Sequence, residues 1–210
     1  MEKPTTLNSY VDKLRQILHA GRKSINAVFY DEIARRAFIN NAFDGALTLL
    51  GILMGNLILG ELDPKIVIST GFSACLAMGI SGTFGRYFSE KAERKAALRQ
   101  MESYMFTDLS GSAIARESEK KVVLISFVDG LSPALAAAIP LIPFFLAQAT
   151  IISIPTSIVA SLVMDFLVLF VLGAILGKIS DENIILHGCQ VMAVGFITSL
   201  IILLSSYWLS

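Results

Sequence analysis

Three carboxylates stand inside long apolar runs: Asp44 in FINNAFDGALTLLGILMG, Asp129 in SFVDGLSPAL and Asp165 in SLVMDFLVLF. A carboxylate at that depth is costly when it faces lipid, so such groups point into a polar path and handle ions, protons or a partner charge. Their neighbours recur at helical spacing. Asn41, Asp44, Thr48, Gly51 and Gly55 advance by three- and four-residue steps and so share a stripe that starts polar and ends small. Gly71, Cys75, Met78, Gly82, Gly85 and Ser89 form a second row, narrow enough for another backbone to approach, in which Met78 offers a soft thioether. Ser126, Asp129 and Pro133 share a third face, Ser157, Ser161 and Asp165 a fourth, and His187 and Gln190 a fifth. Glu90 and Glu93 stand three apart, with Met101, Glu102 and Met105 on one face further on. Oxygen and sulfur donors of this kind suit a borderline metal ion, and a solvated, salt-bridged helix face accounts for the same charges.

The candidate metal ligands are therefore Asp44, Met78, Asp129, Asp165, Glu90, Glu93 and Glu102. Cys75 and Cys189 lie within apolar runs, where a thiol is a packing group, and receive no role. No nucleotide-binding loop, nucleophile triad or zinc cluster occurs, so no catalytic residue, enzyme activity or resident cofactor is expected.

The elements that must position these groups are long. Hydrophobic residues make up 54% of the 210 residues, gathered in blocks of the roughly 20 residues that a helix needs to cross a hydrocarbon core of about 30 Å. The runs 38–60, 65–88, 122–146, 151–177 and 184–208 read as five transmembrane helices, since the short alternation of a barrel is missing. The fold class is an all-α integral membrane protein. It divides into a cytoplasmic amphipathic segment, 1–36, and a five-helix domain, 37–210, that includes a cytoplasmic loop at 89–121. In the first segment Leu7, Val11, Leu14 and Leu18, then Ile25, Val28, Phe29 and Ile33, repeat at helical spacing on either side of Gly21, as in a helix lying along a membrane or a partner. That segment is too long and polar for a cleavable signal peptide, so the first run acts as a signal-anchor. The 89–121 stretch is rich in helix formers to about Asp108, breaks at LSGS and resumes, as a cytoplasmic extension of span two followed by a short helical return. Pro140 and Pro143 should bend or loosen the outer half of span three.

Zero net charge conceals an asymmetry. Seven cations from Lys3 to Arg36 precede span one, and Arg86, Lys91, Arg94, Lys95, Arg99, Arg116, Lys120 and Lys121 lie at or between the ends of spans two and three. Lys178 follows span four, and Lys65 alone falls on the other side. The positive-inside rule places the N-terminus, the 89–121 loop and the 178–183 loop in the cytoplasm and the C-terminus opposite.

The chain resembles the vacuolar iron transporter and nodulin-21-like membrane proteins. The resemblance rests on the Asp-Gly of NNAFDGALTLLGILMG, the SGTFGRYFS run ending span two, the PLIP of span three, and LFVLGAILGKIS followed by HGCQVMAVGFITSLI, over roughly residues 36 to 208. It implies a five-helix protomer that dimerises around span one and moves ferrous iron and related divalent cations out of the cytosol, typically against protons, with Asp44 as the pathway aspartate. Two positions depart from the family pattern Ser-Met-Ala-x-Gly-Glu-Tyr: Gly82 stands where a methionine is usual and Arg86 where a glutamate is. Asp129 and Asp165 are carboxylates that the pattern does not supply. Oxygen in place of sulfur tilts selectivity towards manganese, magnesium or calcium.

The expected function is thus export of a divalent metal, iron or manganese-like, coupled to protons, with Asp44 as ion ligand and Asp129 or Asp165 as proton carriers or further ligands. The alternative is a non-transporting membrane scaffold of the same fold in which the aspartates pair with Arg86. The expected partners are the lipid bilayer, a divalent cation and a second copy of the chain, with no nucleic acid.

Overall fold

The computed structural model describes residues 32–60, 63–109 and 111–209. They form α1 (Glu32–Leu59), α2 (Pro64–Met105), α3 (Ala113–Gln148), α4 (Ile154–Ile179) and α5 (Ile184–Leu209), each long and apolar enough to span a membrane. Most of the expected amphipathic segment, residues 1–31, lies outside the described residues, and α1 begins at Glu32, ahead of the boundary set at 37.

Local chemistry fixes the helix starts. Asp63 caps α2 by accepting the Lys65 amide at 2.9 Å, and Pro64 follows in the first turn, where a missing N–H leaves no bond unmade. Ser112 accepts the Ala115 amide at the head of α3, Ser153 the Thr156 amide at the head of α4, and Asn183 Oδ1 the amides of Ile185 and Leu186 at the head of α5. The last turn of α2 closes on Phe106, whose φ of 51° is left-handed.

At 42 residues, α2 is about 63 Å long, roughly twice the thickness of a hydrocarbon core. The 89–121 segment is therefore a helical hairpin, as its helix formers and the break at LSGS implied. Its first arm is the end of α2, and its return is the opening of α3 itself rather than a separate short helix. Glu102 Oε1 accepts the Leu109 amide at 2.9 Å and so ties the turn to the first arm. The helix also runs unbroken through Pro133, Pro140 and Pro143, so the outer half that was expected to bend or loosen stays helical.

In the bundle α1 touches all four other helices, while α2 packs most extensively on α3 and α4 on α5. Leu49, Leu53, Val67, Cys75, Ala137, Leu141 and Phe144 close one core among α1, α2 and α3, and Ala46, Leu50, Met54 and Leu169 close a second between α1 and α4. Cys75 is a packing residue there. The outward faces are apolar as well: Phe72, Leu76, Ile80, Val163, Leu167, Val171, Leu200 and Ile201 are exposed, as expected of a surface solvated by lipid.

Each of the two Asp-Gly pairs marks a close crossing. A Cβ at Gly45 would collide with the Pro133 backbone of α3, and one at Gly130 with the Gly79 carbonyl and Thr83 of α2. The glycine that lets two backbones meet also fixes the rotation of the helix, and hence the direction of the preceding aspartate.

Candidate functional site

Asp44 lies on the side of α1 that the other helices leave uncovered. Arg36, Asn40, Asp44 and Thr48, spaced by four, are all exposed, whereas Ala42, Gly45, Ala46, Leu49 and Leu50 are buried. Thr48 Oγ1 bonds the Asp44 carbonyl at 2.7 Å, and no partner engages the Asp44 carboxylate among the described residues. The stripe expected on α1 is therefore split. Asn41 turns inward and donates from Nδ2 to Asp129 Oδ1 at 2.5 Å, while Gly51 faces Ile202 of α5 and Gly55 has nothing beside it.

The row on α2 divides as well. Gly71 and Cys75 are buried, Gly82 rests on the Asp129–Gly130 backbone, and Gly85 is open. Met78 packs against the apolar cluster of α1, α2 and α3. Its thioether therefore sits among hydrocarbon, and Asp44 stands on the opposite, outward side of α1.

Asp129 is half-buried between α1 and α3, within electrostatic reach of Arg86 and Glu90. Arg86 opens a charge ladder along one face of α2. Its guanidinium lies 3.5 Å from Glu90 Oε2, and Arg94 grips Glu90 Oε1 with two nitrogens at 2.7 and 2.8 Å. Glu90 is 7% exposed, so this is a buried carboxylate shared by two cations. The spacing 86, 90, 94 carries the signal for the ladder. The sequence reading set Arg86 against the aspartates and left Arg94 without a role.

The remaining acidic candidates do not gather. Glu93 is exposed on α2, Glu102 serves the turn at Leu109, and no three His, Cys, Asp or Glu side chains come together as metal ligands among the described residues. Asp165 is placed as its spacing implied, with Ser157, Ser161 and Asp165 all fully buried on one face of α4. Ser161 donates to the Pro140 carbonyl of α3, yet neither carboxylate oxygen of Asp165 has a hydrogen-bond partner among the described residues. A lone charge sealed in this way is costly, so the group there carries a proton or faces a cation. His187 bonds Glu182 at 2.9 Å across the α4–α5 turn, and Gln190 is exposed.

Comparison with known proteins adds to this geometry. A family model described as the VIT family matches residues 35–105 and 99–205. The uncharacterized protein MJ0645 of Methanocaldococcus jannaschii is 29% identical over 174 residues, covering 81% of this chain and 87% of its own.

Proposed function

Because the chain belongs to the VIT family, whose members are membrane transporters rather than enzymes, we propose that it exports a divalent cation, iron or manganese-like, from the cytosol in exchange for protons. The observation that carries the proposal is the separation of charge between α1 and α2. Arg86, the cation that could quench the pathway aspartate, is turned to Glu90, and the Asp44 carboxylate is left without a cationic partner among the described residues. Arg86 also lies within electrostatic reach of Asp129, so it is Asp44 alone, the aspartate left without a cation, that favours an ion path over a scaffold.

An unpaired carboxylate two turns inside an apolar span cannot face lipid at low cost. A second copy docked on the Arg36–Asn40–Asp44–Thr48 face removes Asp44 from lipid and sets two carboxylates about a two-fold axis, where hard oxygen donors attract a divalent ion. Gly55, where an added Cβ would meet nothing within 4 Å among the described residues, allows the outer half of α1 to approach its copy closely. Asp129 is anchored by Asn41 beside this path, and Asp165, sealed in the protomer without a donor, is the group suited to carry the exchanged proton. The excess of cations on the hairpin and near α1 supports a cytoplasmic N-terminus and hairpin.

The test is flux in proteoliposomes across a panel of divalent cations, comparing the parent with Asp44→Asn. The amide keeps shape and loses charge, so uptake should fall to background while the protein still purifies folded. Unchanged uptake in the variant removes Asp44 from the path, and background flux of every cation by the parent refutes transport.

A further inference from the structure

Between the end of α2 and the beginning of α3 lies a cavity of about 450 Å³ that the transport path does not use. It is lined by Tyr87, Lys91, Arg94, Lys95 and Leu98 of α2 and by Ala115, Glu119, Val122 and Val123 of α3. We infer that this cleft holds the headgroup of an anionic phospholipid, with Lys91 and Lys95 on the phosphate and Val122 and Val123 against the start of the acyl chains.

Charge is the first argument. Arg94 is committed to buried Glu90, so it neutralises that carboxylate rather than the cavity. Lys91 bonds the Tyr87 hydroxyl at 3.2 Å and lies 5.3 Å from the centre of its ring, which holds the ammonium at the wall without cancelling its charge. Lys95 has no carboxylate partner among the described residues. Glu119 lines the same cavity from α3 and pairs with neither lysine among the described residues, while Lys121 takes Glu117. Two ammonium groups against one carboxylate leave an unmet positive charge beside an apolar wall.

Depth is the second argument, and it separates a lipid from a soluble phosphate. The apolar run of α2 ends in Phe84, Tyr87 and Phe88, aromatic residues in mutual contact that mark a membrane–water boundary. At 1.5 Å per residue, Lys91 stands about 4.5 Å and Lys95 about 10.5 Å beyond Phe88, which brackets a headgroup layer of roughly 5–8 Å. On the other wall Val122 is buried and Val123 is 60% exposed. A phosphate with two greasy tails fits both walls, whereas a free anion leaves the valines unused. Basic clefts between helices on the cytoplasmic side are suited to such headgroups.

The experiment uses the full chain in phosphatidylcholine nanodiscs doped with phosphatidylglycerol, read by native mass spectrometry for lipid retained per protomer. The parent should retain phosphatidylglycerol over phosphatidylcholine. Lys91→Gln with Lys95→Gln should weaken that retention about thirtyfold, from the attraction each surface lysine has for an anionic lipid. A control pair, Arg116→Gln with Lys120→Gln, removes the same charge from the same hairpin outside the cavity and should change retention less than about threefold. Val123→Phe fills the apolar wall without touching a charge and should also abolish retention, which keeps the inference testable if the lysine variant folds poorly. Equal losses from the two charge pairs, equal retention of both lipids by the parent, or stabilisation by inorganic phosphate with the same lysine dependence would each overturn it.

Discussion

Arg86→Glu rewrites the charge ladder in one step and exposes its energetics. In the parent the Arg86 guanidinium lies 3.5 Å from Glu90, with the arginine side chain 32% exposed and the glutamate 9%. Opposite charges at about 4 Å are worth about 4 kcal/mol at an effective dielectric of about 20 and about 1 kcal/mol in water, so a partly exposed pair falls near 2 kcal/mol. The substitution removes that attraction and adds a like charge one turn from Glu90, partly offset because Arg94 keeps its two-nitrogen grip. The variant should therefore be destabilised by roughly 2–3 kcal/mol in metal-free buffer. It also sets a third carboxylate beside Glu90 and Asp129, an oxygen cluster of the kind a divalent ion binds. Manganese or ferrous iron at about a hundredfold over its dissociation constant should then restore about 2.7 kcal/mol, close to what was lost. The assay is thermal unfolding in mild detergent with and without each ion, followed by proteoliposome flux. A variant that melts with the parent refutes the importance of the Arg86–Glu90 pair. A destabilised variant that no divalent ion rescues refutes the convergence of positions 86, 90 and 129. If flux of every divalent ion also stays at background in both proteins, metal transport is refuted.

Three further outcomes follow from the packing. Gly45→Ala drives a methyl into the Pro133 backbone and should cost about 1–3 kcal/mol, whereas Gly85→Ala meets nothing within 4 Å and should stabilise α2 by up to about 1 kcal/mol; equal melting temperatures for the two variants would contradict the crossing. Single cysteines at Asn40, Thr48 and Gly55, in a background without Cys75 and Cys189, should crosslink two copies in lipid, whereas cysteines at buried Ala46 and Leu50 should not; a monomer in lipid, or crosslinks confined to α5, counts against the α1 interface. Asp165→Leu replaces a buried carboxyl that lacks any partner with an apolar side chain, so stability should be kept or raised while proton-dependent flux is lost; full retention of proton-driven flux would exclude Asp165 as the carrier.

The number of spans, their approximate limits and the face of each helix that carries polar groups were legible in the sequence because each depends on local quantities. Runs of twenty apolar residues can only cross hydrocarbon as helices, and four-residue steps placed Ser157, Ser161 and Asp165 on one face whatever that face met. The family was legible for a related reason, since its motifs are short and contiguous. Which neighbour each face meets is a different matter, because it depends on how helices cross, and the crossings are set by backbones meeting at Gly45 and Pro133 and at Gly79 and Gly130. Those contacts turn Asn41 inward to Asp129 and leave Asp44, three residues on, facing outward, so a stripe that is continuous in spacing becomes two surfaces with different partners. They also pack Met78 against hydrocarbon and bring the valines of α3 opposite the lysines of α2. Periodicity assigns a residue to a side of its own helix. Only the rigid-body placement of one helix on another decides whether that side faces a carboxylate, a cavity, lipid or a second copy of the chain.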